Sequence, residues 1–376
     1  TTGEGLPTYG TAVLVNVINE SGIYPTENFQ KGYFPAADQA SGEVLAEKYL
    51  TGKDVCFRCP IACGRYCRAD GVEGGGPEYE TIWAYSADCG ISDLVPIIKA
   101  NKWCNEYGLD TISAGATIAC AMEMHQRGIL KDEDVDGPTL EFGSSEAIVE
   151  WTRKMGAGEG FGAKLALGSY RLAELYGAPE LSMSVKKLEL PAYDPRGAQG
   201  HGLQYATSNR GGCHVRGYLI SPEILGVPEK LDPFSIEGKA VWVKLFQDLT
   251  AVIDSLGLCL FTFTASAGPR SQPVKDEAVA AERPGAIDRA RLNENVVTIM
   301  AGAPGGTGLS IAYDLAEVLD DGNNLRVVPM IGKGVAENVR DLLYLRGVDM
   351  AITQANILKH FARTGALGKN LGNQIT

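Results

Sequence analysis

Residues 92–128 read SDLVPIIKANKWCNEYGLDTISAGATIACAMEMHQRG. Two successive helices are written there. Ser92-Asp93 supplies an N-cap, Leu94, Ile97, Ile98 and Trp103 recur at helical spacing, and Gly108 closes the segment. A second helix runs from about Thr111 to Arg127 and stops at Gly128. Outward from this pair the pattern continues. A third helix starts after Ser145 and carries Ile148, Val149 and Trp151, and a fourth runs from Gly162 to Tyr176 with Gly177 beyond its end. A longer one spans roughly Ile236 to Leu256, with Val241, Val243, Leu245, Leu249, Val252 and Ile253 on a broad apolar face. Residues 1–50 read as loops with short helices, and 191–218, rich in Gly, Asn, Ser and His, as functional loop. The expectation is a mostly α-helical body over residues 1–265.

The character changes after that. Residues 266–293 are polar, charged and rich in Pro and Ala, which is linker composition. Beyond them Val296–Met300, Leu325–Pro329 and Val348–Ile352 read as strands, separated by helical stretches that end near Leu319 and run from Ala336 to Leu345. That alternation predicts a small α/β tail of βαβ type over 294–376.

The chain has 376 residues, enough for two or three domains. Lys and Arg number 34 against 46 Asp and Glu, a net charge of −12. Nucleic acid and anionic membranes want clustered cations, so neither is expected as a partner. No apolar run is long enough for a membrane helix, and no signal peptide is visible. The first residue is Thr1, as in a fragment or a processed form. Nine cysteines are an odd number, and four fall within twelve residues. That distribution favours a reducing compartment, hence a cytoplasmic protein, and a metal site over a disulfide framework.

The cysteine run is Cys56-Phe-Arg-Cys59-Pro-Ile-Ala-Cys63-Gly64. Three thiolates at this spacing can wrap one corner of a cubane cluster, and a fourth must come from elsewhere. Pro60 and Gly64 suit a tight loop. Zinc and a set of buried thiols are the alternatives, although zinc sites favour paired C-x2-C units and no second pair exists. Cys67 reads as a bystander. A second motif, Asp254-Ser-Leu-Gly257-Leu258-Cys259, closes the long helix and echoes Asn105-Glu-Tyr-Gly108-Leu109-Asp110. Each is a glycine-capped helix end. As a pair they could grip two sides of one polar ligand.

The cysteine run, Gly76-Pro-Glu-Tyr-Glu80, Asn105–Asp110, Gly197-Ala-Gln-Gly-His-Gly202, Thr207-Ser-Asn-Arg-Gly-Gly-Cys-His214 and Asp254–Cys259 occur in the order found in aldehyde ferredoxin oxidoreductases. Residues 1–265 therefore resemble the catalytic, C-terminal domains of that family. The resemblance implies a [4Fe–4S] cluster on Cys56, Cys59, Cys63 and Cys259. It implies a tungsten or molybdenum bis-molybdopterin held by Asn105, Gly108, Leu109 and Asp110 and by Asp254, Gly257 and Leu258. Asn105 stands where the family often has Asp. It matches Glu80 and His214 to the family's active-site acid and histidine, with His201 in reserve. The implied reaction is oxidation of an aldehyde to a carboxylic acid with ferredoxin as electron acceptor, and a homo-oligomer is left open. For the acid–base pair, the resemblance suits His214 to orienting or protonating the carbonyl oxygen and Glu80 to activating water or accepting a proton. On sequence alone Glu80 also reads as a solvated surface acid, and His214 as a loop histidine bonded to backbone.

The family begins with a β-rich base domain for the two pterins, for which there is no length before residue 50. The chain alone is accordingly expected to be poorly active. The tail departs as well. Gly302-Ala-Pro-Gly-Gly-Thr-Gly308, the helix ending Ala316-Glu-Val-Leu319 and Val348–Ala355 resemble the first lobe of a TAXI-type TRAP-transporter solute receptor. A Gly-rich loop before a helix N-terminus can hold an anion, or simply turn the chain. Two other functions follow as alternatives: a solute-binding protein for a small carboxylate or amino acid, or a non-catalytic iron–sulfur electron-transfer module.

Overall fold

The computed structural model describes residues 3–262, 296–301, 312, 315, 316, 326–331, 350 and 351. The chain divides into two units, Thr1–Ala251 with Cys259–Gly268, and Val252–Leu258 with Pro269–Thr376. The expected linker 266–293, the glycine-rich loop 302–308 and the helix 336–345 lie outside the described residues.

The first unit is built on helices. They are α1 (Gly5–Tyr9), α2 (Leu14–Glu20), α3 (Gly42–Lys48), α4 (Tyr79–Tyr85), α5 (Leu94–Tyr107), α6 (Thr111–Gln126), α7 (Ser145–Ala157), α8 (Gly162–Leu165), α9 (Ser169–Leu175), α10 (Gln199–Thr207) and α11 (Lys239–Ser255), the last crossing the unit boundary. Two small antiparallel sheets accompany them. One has the order β1 (Leu50–Gly52), β2 (Tyr66–Ala69), β3 (Val72–Gly75), and the other pairs β4 (Ser184–Val185) with β5 (Leu188–Glu189). No helix among the described residues is long and apolar enough to cross a membrane.

The opening stretch folds as its residues dictate. The Asp93 carboxylate accepts from the Val95 N–H at 2.9 Å, satisfying a donor that the first turn of α5 leaves free. Gly108, at φ 69°, ends α5, and Asp110 caps α6 by accepting from Ser113 N at 2.8 Å. Asp93→Ala is expected to cost about 0.5–2 kcal/mol by removing the cap. Urea denaturation reads that loss, and an unchanged midpoint would show that water replaces the carboxylate. α6 is buried on nearly every side from Ala114 to Met124 and forms the centre of the body. α4 packs against it where a Cβ on Gly115 would fall 2.6 Å from the Ala84 Cβ, so α6 approaches α4 more closely than any larger residue permits. Trp83, Trp151 and Ile148 fill the space around them.

Two expectations are corrected. The single helix over 162–176 is two, α8 and α9, because Gly168 at φ 86° takes a backbone conformation that no helix continues through. The loop over 191–218 contains α10. Its first-turn N–H groups, Gly200 at 2.8 Å and His201 at 2.9 Å, donate to the buried Glu223 carboxylate, a cap supplied from outside the segment.

In the second unit β6 (Val296–Ala301) lies between β7 (Arg326–Ile331) and β8 (Met350–Ala351), parallel to both. Ile299, Ala312, Leu315 and Val327 are buried together, with Val252 and Leu256 against them. Parallel strands with a helical face between them are the βαβ arrangement expected of the tail.

Candidate functional site

Cys56, Cys59 and Cys63 lie on the loop between β1 and β2. Cys59 N–H turns back to Cys56 O at 3.0 Å, and Asp54 N–H closes the loop on Gly64 O at 3.2 Å. Gly64 is required: a Cβ there would sit 1.7 Å from Asp54 O. Arg58 (φ 54°) and Ala62 (φ 53°) are held left-handed, a conformation that costs non-glycine residues and persists only when the surroundings enforce it. At Ala62 the enforcing group is Arg65. Its buried guanidinium donates to Cys63 O (3.1 Å), Thr8 O (2.9 Å), Pro7 O (3.2 Å) and Ala62 O.

All nine cysteines are free thiols. Cys63 is pushed up by burial, then by Glu78, Cys259 and Cys59, so Cys259 acts on Cys63 from a remote part of the sequence. Among the described residues no three His, Cys, Asp or Glu side chains converge tightly enough to grip one metal ion. A soft all-thiolate set of this kind is compatible with an iron–sulfur cluster, whose cubane is wider than a single ion and holds its thiolates apart. Cys67 differs from them: it is fully buried on β2, and burial pushes its thiol up to about 11.

The two glycine motifs form the same turn. After α5, Leu109 N–H returns to Cys104 O at 2.9 Å across Gly108. After α11, Leu258 N–H returns to Ile253 O at 3.0 Å across Gly257, at φ 68°. Both are six-to-one glycine caps of the helix end. Asn105, Gly108 and Asp110 are exposed, with the Asn105 amide donating to Gly75 O at 3.0 Å. Asp254, Gly257 and Leu258 are likewise exposed.

Glu80 projects from the first turn of α4. Its Oε2 accepts from Ala192 N–H at 2.9 Å, and its Oε1, buried and without a hydrogen bond, lies 3.5 Å from His214 Nε2. Burial pushes the Glu80 carboxyl up to about 8, with Asp110 adding to the rise and the Ala192 N–H opposing it. Burial, and then the Arg210 guanidinium, push His214 down to about 4. At neutral pH both groups are therefore uncharged, and the contact is a neutral acid against a neutral imidazole rather than an ion pair.

Aromatic side chains wall this pair. Tyr193 and Tyr218 share a hydroxyl–hydroxyl bond of 3.0 Å, and His214 packs on both rings at 5.8 and 6.3 Å. Tyr79 donates its hydroxyl to Ala192 O at 3.0 Å, fixing the strand of chain whose N–H holds Glu80. His201 and Tyr205 complete the wall. The structure thus brings Glu80 and His214 together and sets Asp110 close enough to act on Glu80. Sequence reasoning missed the tyrosines and Arg65. Tyr79 adjoins Glu80 within a quoted motif, and it was the one available signal.

A family model described as aldehyde ferredoxin oxidoreductase, domains 2 and 3, matches residues 1–282. A tungsten-containing aldehyde ferredoxin oxidoreductase of Pyrococcus furiosus is 60% identical over 263 residues, covering 69% of this chain and 44% of that protein. The protein of the same name from Thermococcus kodakarensis is 57% identical over 264 residues, with the same coverage of 69% and 44%. The WOR-like subunit of an aliphatic sulfonate oxidoreductase of Pyrococcus furiosus is 30% identical over 204 residues, 51% of this chain and 32% of that one. The chain spans less than half the length of these curated relatives. Among solved structures, the BamBC active-site complex of benzoyl coenzyme A reductase superposes with a TM-score of 0.51 at 21% identity, covering 66% of this chain and 44% of that one. That likeness is one of fold.

Proposed function

The chain belongs to the aldehyde ferredoxin oxidoreductase family, in the region of its domains 2 and 3, and on that premise we propose that it carries the acid–base pair and the cluster of an aldehyde-oxidising enzyme. The reaction is aldehyde plus water to carboxylic acid, releasing two protons and two electrons. A tungsten, or molybdenum, bis-molybdopterin would supply the two-electron acceptor when bound, with Asn105–Asp110 holding one pterin and Asp254–Leu258 the other. Cys56, Cys59, Cys63 and Cys259 would hold the [4Fe–4S] cluster that passes electrons to ferredoxin, in the cytoplasm. The tail beyond residue 293 is taken as a separate α/β body.

The observation that carries the reading is the neutral pair of Glu80 Oε1 and His214 Nε2, 3.5 Å apart inside the tyrosine wall. Glu80 holds a proton at neutral pH and His214 is unprotonated, so Glu80 can donate and His214 accept, the reverse of the roles the resemblance suits them to. The tyrosines exclude water and keep both groups uncharged until substrate arrives. Tyr79 and Ala192 orient the carboxyl.

Two measurements test this. Metal analysis of the reconstituted protein should find iron together with tungsten or molybdenum, and iron alone would leave only electron transfer. The pH profile gives the sharper test. Because Glu80 titrates near 8, kcat/KM should hold up to that pH. Above it the rate should fall about tenfold per unit as the donor is lost. Glu80→Gln should remove that limb. A rate that rises through pH 8 would make Glu80 a base and overturn the assignment.

A further inference from the structure

His201 is a second imidazole beside the site, and its surroundings are contradictory. It has no exposed surface, yet neither Nδ1 nor Nε2 has a hydrogen-bond partner among the described residues. Its ring meets Tyr205 at 4.4 Å, Tyr193 at 5.4 Å and Tyr218 at 6.3 Å, all edge to face. A neutral imidazole always presents one N–H and one lone pair, and leaving either unmade in an interior is destabilising. For packing alone a phenylalanine would serve better. The backbone, by contrast, is fully provided for. His201 N–H donates to Glu223 Oε2 at 2.9 Å, and Glu223 is itself paired with Lys239 in the interior. The chain thus fixes the position of a ring whose polar atoms nothing answers.

The same two tyrosines, Tyr193 and Tyr218, touch both His201 and His214. Both imidazoles therefore pack on one tyrosine pair, each within 6.3 Å of the Tyr218 ring. His214 has a demand that His201 can meet. A proton on Glu80 Oε1 needs a lone pair on His214 Nε2. His214 must then carry its own proton on Nδ1, and that proton needs an acceptor.

We propose that His201 is a positioning residue for His214: in the working site a ring nitrogen of His201 accepts the Nδ1 proton of His214 and so holds the tautomer whose Nε2 lone pair faces Glu80. The inference rests on the proposed pairing of Glu80 with His214. The groups that face the two rings are Glu80, Arg210, Tyr193, Tyr205 and Tyr218, and none of the tyrosine hydroxyls takes a bond from either imidazole. Arg210 has only donors, so it cannot be the acceptor.

Four histidines make the test direct, because ring-nitrogen NMR of the 376-residue chain at neutral pH gives four pairs of signals, Nδ1 and Nε2 of each ring, assignable by substitution. The wild-type His214 signal should report the Nδ1–H tautomer. His201→Phe should shift it toward Nε2–H, while the melting temperature stays level or rises as two unanswered polar atoms leave the interior. An unchanged His214 tautomer in folded His201→Phe overturns the proposal. Should that variant not fold, His201→Leu carries the same comparison, and His201→Asn, whose amide oxygen accepts, should preserve the tautomer. In cofactor-loaded enzyme His201→Phe should lower kcat about 10–100-fold with KM unchanged, and His201→Asn should recover part of it. The parent reading fails separately: full turnover in Glu80→Gln would remove the pair itself. Impaired Glu80→Gln beside an unmoved His214 tautomer would remove only the role of His201.

Discussion

His214→Ala is expected to lower turnover by roughly 10²–10⁴-fold, the range for loss of a positioned general acid–base group, while metal content stays intact. The expectation rests on placement. His214 is the basic side chain in contact with Glu80 Oε1, and burial keeps it unprotonated through the neutral range. Removing the imidazole leaves Glu80 with a proton and no acceptor inside a wall that admits little water. The loss should fall on kcat rather than KM, because the group acts on the moving proton more than on the bound substrate. His214→Gln, which keeps volume and a hydrogen-bonding end, should be almost as slow because its amide takes no proton. A variant with normal turnover and normal pH profile would take His214 out of the chemistry. One that loses metal as well would move its role to structure.

The second large effect concerns iron. Cys259→Ala should lower the iron count from the four of an intact cubane, and Cys63→Ala should do the same, because a cubane held by three thiolates leaves one iron corner open to solvent. Cys67→Ala is the control. It sits four residues from Cys63, yet it is buried in β2 with its thiol pushed up to about 11, and it should retain full iron. Anaerobic iron counting and the visible thiolate-to-iron absorption read all three. Loss of iron in the Cys67 variant alone would transfer the ligand role to it, and an intact cluster in Cys259→Ala would break the proposed fourth bond.

What the sequence reveals depends on how local each determinant is. Asp93, Gly108 and Asp110 act within one turn of themselves, so the ends of α5 and α6 can be read directly. α10 cannot be, because its cap is Glu223, more than twenty residues beyond its start, and its glycines suggest loop. The break between α8 and α9 turns on the φ of a single glycine, which a helical apolar pattern does not reveal. The site divides in the same way. The cysteine spacing is local and legible, whereas the hold of Arg65 on Thr8 and Pro7 is not. The facing of Glu80 and His214 entered as an implication of resemblance, and their neutral state comes from tyrosines scattered between residues 79 and 218, each of which alone reads as ordinary core.

The grip of Arg65 on the carbonyls of residues 7 and 8 has a consequence for biosynthesis. Arg65 and the carbonyls it holds all precede Cys259 by a long stretch of chain, so the three thiolates of the proposed cluster loop are synthesised well before the fourth. The fourth, Cys259, follows about 10–40 s later at a synthesis rate of roughly 5–20 residues per second. During that interval the nascent chain would offer, on the proposed ligand set, three thiolates open to any passing soft metal. A cluster delivered then would be a loose one. Delivery after Cys259 has emerged closes the fourth corner, which would make firm iron retention a mark that the helical body has been completed.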